Sequence, residues 1–405
     1  MHHCAAFLCL IYLFSVPMYL AAQVSERAKA LHAKSLVFDG HIHAIDRQFY
    51  LGGDIGDRAP DGHFDLPRAR EGGLGAMFFS LFVTEQYYPQ RFETKQTLRL
   101  LDLALRQLES NRNRIEIARG AADIDRIRRS GKIAAVLDLE GGFDLDGDPA
   151  VIRILYRLGM RSLQLPAHNW ANEFADSCCA PAKWHGLNER GRQVIREMNR
   201  LGMVINVSHA SDETIEQAIE VSTDPVIATH HGLRQFNDIP RTMSAGTLKK
   251  LAANGGVIGF QIGGEFHMRA LFDARARRAG KAFWDTSDIQ NKNLTIEAID
   301  RIVAPTFPMV AKPAPEDSMY TLDDYFRVVE RAIEIAGEDY VALGSDFDGG
   351  PPLPLGMRDV HDLPMLTETM LRRGWSESRI RKFLGENLLR VFRQITDKAV
   401  APPAR

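Results

Sequence analysis

The chain has 405 residues, of which 45% are hydrophobic, 25% charged and 8% aromatic. That profile argues against a disordered, collagen-like or coiled-coil protein. Its 50 basic and 52 acidic residues leave a net charge of −2 with no long run of one sign, so charge gives no support to a nucleic-acid-binding role.

Residues 5–20 read AAFLCLIYLFSVPMYL, apolar and uncharged, and are followed by the small residues Ala21 and Ala22. The run is shorter than the about 20 apolar residues a spanning helix needs. Residues 1–22 therefore read as a secretory signal peptide, although His2 and His3 stand where Lys or Arg is usual. The alternative is an uncleaved N-terminal anchor. The expectation is export, to the periplasm of a Gram-negative bacterium or otherwise by secretion. Residues 23–405 would form one domain with no stable membrane insertion. Cys4 and Cys9 fall in the signal, and Cys178 and Cys179 are adjacent. Neighbouring cysteines rarely bridge comfortably, so no intrachain disulfide is expected.

Beyond the signal, short β-rich runs alternate with helical patterns. The expected strands are Ser35–Phe38, Ala76–Val83, Ile133–Leu139, Arg161–Leu165, Val204–Val207, Val226–Ala228, Gly256–Gln261 and Tyr340–Leu343. Expected helices include Thr94–Glu109, Glu189–Leu201, Asp212–Val221 and Leu322–Ala336. In the second of these, Val194, Met198 and Leu201 recur at helical spacing. AAVLDL and VIGFQI are apolar on nearly both faces, as buried parallel strands are. Eight such units predict an α/β fold, a TIM-like (β/α)₈ barrel. The competing fold is a doubly wound open sheet, but no G-x-G-x-x-G turn follows the first strand. About 80 residues, Ile262–Asp339, separate strands seven and eight, more than a βα connection needs. This insertion is expected to cover the site or to form a subunit contact.

The strand ends carry the chemistry. Strand one runs into His41 and His43, strand three into Glu140, strand four to His168, strand five to His209, strand six to His230 and His231, and strand eight to Asp346. In a barrel these ends converge on one face; in an open sheet they spread along a line. His41 and His43 are two apart, so both imidazoles can face one ion. Glu140 ends a buried strand, where a carboxylate needs a cation. It could bridge two metals or pair with an arginine. His209 and His230 read as ligands of a second metal, with His231 pointing away by alternation. Asp346 could orient an activated water, carry its proton, or bind metal. Asp348 ranks behind it, and His168 could stabilise an oxyanion.

These residues, in this order, resemble the membrane dipeptidase (renal dipeptidase) family of zinc peptidases. The matching stretches are DGHIH (Asp39–His43), HFDLPRAREGGLGAMFFSLFV (His63–Val83), LEGG (Leu139–Gly142), LGMRSLQL (Leu158–Leu165), EMNRLGMVINVSH (Glu197–His209), ATHHGLR (Ala228–Arg234), IPRTM (Ile239–Met243) and ALGSDFDGG (Ala342–Gly350), with closing helices in Arg372–Phe392. The resemblance covers most of residues 30–393. It implies a TIM-like barrel of the metallo-dependent hydrolase type that hydrolyses dipeptides at a two-zinc centre. It assigns His41, His43, Glu140, His209, His230 and Asp346 to the metals, and Asp346 and His168 to catalysis. His168 would contact the reacting carbonyl, and Arg241 would receive the substrate's terminal carboxylate. One position departs from the pattern: His43 stands where the family has aspartate, which removes one negative charge. Asp46 is a candidate substitute. The oligomeric state is left open, with a homodimer as the default oligomer by symmetry and by the same resemblance.

The leading expectation is thus an exported metallodipeptidase. The alternatives are a related amidohydrolase acting on N-acyl amino acids or other small amides, and a peptide-binding barrel with weakened catalysis, which the His43 departure alone favours.

Overall fold

Eight parallel strands follow one another around a ring in chain order. They are β1 (Phe38–His43), β2 (Ala76–Phe82), β3 (Ile133–Glu140), β4 (Ser162–Gln164), β5 (Val204–Asn206), β6 (Ile227–Leu233), β7 (Val257–Phe260) and β8 (Val341–Leu343). The ring closes just beyond β8. There the His43 N–H donates to Phe347 O and the Asp346 N–H to His41 O, both at 3.0 Å. Barrel, not open sheet, is the outcome. Two short strands lie off the ring: Ile115–Ile117 beside β3 and Thr242–Met243 beside β6. This computed structural model describes residues 24–282, 284–289, 293–307, 315–350 and 352–398. The segment read as an export signal lies outside the described residues.

The helices form where local chemistry starts them. Glu189–Leu201, Asp212–Val221 and Leu322–Ala336 match their expected bounds, and the fourth runs Glu93–Ser110. Asn188 and Ser211 each accept a backbone N–H of the first turn, and Thr321 forms a capping box with Asp324.

The strand expected at Ser35–Phe38 instead spans Phe38–His43. Its polar residues stay buried because each finds a partner. Asp39 Oδ1 accepts the N–H of His41 at 3.1 Å and of Ser345 at 2.8 Å. The same carboxylate thereby ties β1 to the end of β8.

Paired residues in parallel strands face the same side, so the register builds the barrel interior in layers. At the N-terminal end Phe38, Phe78 and Val136 share a buried cluster with Val391 and Phe392 of the last helix, Asn387–Thr396. Above them lies a polar layer. Ser80 donates to Asp138 Oδ2 (3.1 Å), and Thr229 Oγ1 donates to Asn206 Oδ1 (3.2 Å). Glycines draw the strands together at this level. A Cβ on Gly40, Gly259 or Gly344 would lie 2.7, 2.1 or 1.9 Å from the Thr229 carbonyl oxygen. Only a residue without Cβ allows that approach.

Candidate metal centre

The top layer gathers the strand-end residues. Glu140, buried at the end of β3, divides its two oxygens between two groups of imidazoles. Oε2 lies 3.0 Å from His41 Nε2 and 3.1 Å from His43 Nε2. Oε1 lies 2.9 Å from His209 Nε2 and 3.3 Å from His230 Nε2. Within the groups, His41 and His43 place their Nε2 atoms 3.3 Å apart, and His209 and His230 place theirs 3.1 Å apart. Asp346 Oδ1 is 3.2 Å from His43 Nε2, is buried, and has no hydrogen-bond partner. Neutral imidazoles cannot all donate to one another, so converging Nε2 atoms call for a cation. Bonds of about 2.0–2.1 Å to a tetrahedral ion place neighbouring donors about 3.3 Å apart. The spacing seen here is close to that, and the nitrogen and oxygen donors suit a divalent metal.

The electrostatics agree. Burial alone would raise the carboxyl pKa of Glu140, but His41, His230 and His209 hold it well below the ordinary range. Asp346 behaves likewise: burial would raise it, but the nearby His43, His230 and His41 hold it down. His230 is driven down to about 3 by burial, then by His41 and Arg241, and His209 is lowered by burial and by Arg241. Both carboxylates are therefore ionised and His209 and His230 neutral, the forms that bind metal. Against the effect of burial, Glu140 raises His41 to about 9, and Asp346, Asp46 and Glu140 raise His43 well above its ordinary value, so a metal there would displace their protons.

Neighbouring groups aim the ligands. His209 Nδ1–H donates to Asn169 Oδ1 at 3.0 Å, which leaves its Nε2 lone pair toward Glu140. His230 Nδ1 meets Thr229 Oγ1 at 3.1 Å. Asp346 Oδ2 accepts from Gln261 Nε2 at 2.9 Å. His41 Nδ1 faces Asp138 Oδ2 at 3.6 Å, beyond hydrogen-bond length. His168, His209 and Asp346 hold left-handed backbone, with φ of 54°, 62° and 61°. That conformation is costly outside glycine and clusters at functional sites.

Every site residue expected from sequence reaches this layer. His168 sits beside the ligands, its ring 4.0 Å from that of His209, with Nε2 3.7 Å from Glu140 Oε1. Arg241 is fully buried. Its Nε donates to His209 Nε2 (3.2 Å) and its Nη2 to His230 O (2.8 Å), while Nη1 has no partner. His231, as alternation predicts, takes no part. Asp348 does not join either: it accepts the backbone N–H of His63, and burial raises its carboxyl to about 7. Asp46 does not replace His43 as a ligand, because it lies behind that ring.

Two features escaped sequence reasoning. Glu85 contacts His168 Nδ1, so it orients that ring. It follows β2 closely, and the strand-end rule that found the other residues also points to it. The second feature is a correction. Cys178 and Cys179 form a disulfide. In an extended strand adjacent side chains diverge, but this loop is bent. The Cys178 N–H donates to His209 O at 2.7 Å and the Cys179 N–H to Ser177 Oγ at 3.2 Å. Both sulfurs are turned to one side.

His43, His168, His209, His230, Arg241 and Asp346 line one cavity of about 100 Å³. Glu265, Phe266 and Arg275 of the insertion complete its wall. Among the described residues no helix is long and apolar enough to cross a membrane.

Barrel and donor set together define a metallo-dependent hydrolase. Comparison with known proteins narrows this class. Residues 25–404 match the membrane dipeptidase family, Peptidase family M19, and the chain belongs to that family. It is accordingly a metallopeptidase, a hydrolase of peptide bonds. Dipeptidase tcpJ of Claviceps purpurea is 30% identical over 351 residues, which cover 84% of this chain and 71% of that protein. Dipeptidase 3 of Mus musculus is 30% identical over 340 residues, 82% of this chain and 58% of the mouse protein. A metallopeptidase of Rhodobacter sphaeroides, solved with a phosphinate mimic of the dipeptide L-Ala-D-Ala, shares the fold. Its TM-score is 0.67 at 22% identity, covering 89% of this chain and 99% of that one.

Proposed function

We propose that residues 23–405 form one exported, zinc-dependent dipeptidase domain with a binuclear centre. The observation that carries this reading is the split of Glu140, one oxygen to His41 and His43, the other to His209 and His230. His41, His43 and Asp346 would hold one ion, His209 and His230 the other, with Glu140 between them. Two bound zinc ions supply an activated water and positive charge for the oxyanion.

The chain's own groups supply the rest. Asp346, ionised and steadied by Gln261, takes the proton of the attacking water and passes it to the leaving amine. His168 gives its Nδ1–H to Glu85, so it donates through Nε2 to the developing oxyanion as the imidazolium, which carries a proton on both ring nitrogens. Arg241 keeps Nη1 free for the substrate's terminal carboxylate, which a planar guanidinium binds well. Enclosed by the insertion, the cavity takes a small molecule and not a folded chain. The bound dipeptide mimic in the Rhodobacter sphaeroides metallopeptidase is consistent with that substrate class.

The test is metal content and Gly-Ala hydrolysis measured on one preparation. Two zinc ions per chain with chelator-sensitive cleavage are expected. One ion or none, with no cleavage, rejects the reading.

A further inference from the structure

The metal cavity contains two guanidinium groups, and the proposed dipeptide reading uses only one. Arg241 lies on the barrel, fully buried, between His209 and the His230 carbonyl. Arg275 comes from the insertion, on helix Arg269–Ala279. Its Nη1 donates to Glu265 Oε2 at 2.5 Å. The pair is asymmetric: the Glu265 side chain is 3% exposed and that of Arg275 is 26% exposed. The acid is the more buried partner and the base the more exposed, and both line the cavity. Glu265 is itself anchored, since Asn237 Nδ2 donates to its carbonyl at 2.7 Å.

Phe266 links the two cations. Its neighbour in the chain is Glu265, and its ring lies 5.8 Å from the Arg241 guanidinium carbon. A group held by Arg241 is therefore flanked by the wall that carries Glu265 and Arg275. An arginine whose acid partner fixes its orientation is preorganised to bind a second carboxylate through its remaining N–H groups. A basic side chain would instead have to displace Arg275 from Glu265.

We infer that Arg275 is a specificity-determining residue that selects dipeptides with an acidic C-terminal residue, Asp or Glu, with Glu265 as its positioning residue. Arg241 takes the main-chain carboxylate and Arg275 the side-chain one. This inference rests on the dipeptidase reading and assigns the selectivity to the insertion, not to the barrel.

The test compares kcat/KM for Gly-Glu and Gly-Gln, isosteres that differ in charge, on the metal-loaded protein. The wild-type ratio should favour Gly-Glu by about tenfold or more, the worth of a charged hydrogen bond. Arg275→Gln should bring the ratio close to one, mainly through KM, and Arg275→Lys should retain part of it. Calorimetric titration of the wild type with free glutamate and free glutamine reads the same subsite without turnover. Tighter binding of glutamate supports the subsite even if no dipeptide is cleaved, in which case the dipeptidase reading alone falls. Equal binding of the two amino acids, or an unchanged ratio in Arg275→Gln, overturns it.

Discussion

His43 and Asp46 form a relay across one imidazole: His43 Nδ1 lies 3.3 Å from Asp46 Oδ2, while His43 Nε2 faces Glu140 Oε2 at 3.1 Å. The negative charge that the family's aspartate would bring to the metal thus stands one ring further back. A carboxylate behind a histidine fixes its orientation and raises its basicity as a ligand. Burial raises the Asp46 carboxyl, and His43 and the Phe82 N–H (3.0 Å) oppose that rise. Asp46→Asn should weaken zinc binding by roughly 10–100-fold, read by competition with a chromogenic chelator. Unchanged affinity would reduce Asp46 to a packing role.

Arg241 should gauge substrate length. Blocking the C-terminal carboxylate of a dipeptide as an amide should cost roughly 100-fold in kcat/KM, the scale of a buried charged hydrogen-bond pair. Arg241→Lys should not restore the two-pronged contact. Equal cleavage of free and amidated Gly-Ala would remove this role.

The pairing of Glu85 with His168 should act on kcat more than on KM. His168→Ala should lower kcat by about 10²-fold or more if it donates to the oxyanion. Glu85→Gln should lower it less, because the ring stays but the carboxylate that orients it and favours its doubly protonated form is gone. A change confined to KM in both variants would mean that His168 only binds substrate.

Two histidines away from the ligand set should make the fold acid-sensitive. Burial lowers His63 and His267 from 6.5 to about 4. Between those values the unfolded chain binds a proton that the folded chain does not. Stability is then fully present above pH 6.5 and is lost as pH falls from 6.5 toward 4, with no further loss from these groups below that. Each contributes on the order of 3 kcal/mol to the loss. Urea midpoints of chelator-treated protein should fall across this window. The fall should be shallower in His267→Gln, which can keep the donor to Gln261 O. Identical slopes would exclude His267.

Much of the fold was legible because its signals are local. Helix starts depend on residues such as Asn188, Ser211 and Thr321, which bond within their own first turn. Seven of the eight barrel strands lie where apolar runs place them, with ends moved by a few residues. The exception is β1, expected to end at Phe38: its polar stretch Asp39–His43 continues the strand, with Asp39 satisfied by Ser345, more than 300 residues later. The strand-end residues His41, Glu140, His209, His230 and Asp346 were visible for the same reason. Parallel strands that all point one way bring such positions to one end.

The sequence by itself determined the barrel order, the family and the set of candidate ligands, since periodicity and motif order are properties of the chain alone. Tertiary structure decided the rest. It set Asp46 behind His43, joined Cys178 to Cys179, and carried Glu265 and Arg275 from the insertion to the cavity wall. It also let Gly40, Gly259 and Gly344 close on the Thr229 carbonyl, a contact between β1, β6, β7 and the end of β8. That approach accompanies the 3.9 Å separation of the His41 and His230 rings. Distances of this kind depend on how side chains from separate segments pack, and no single segment contains that information.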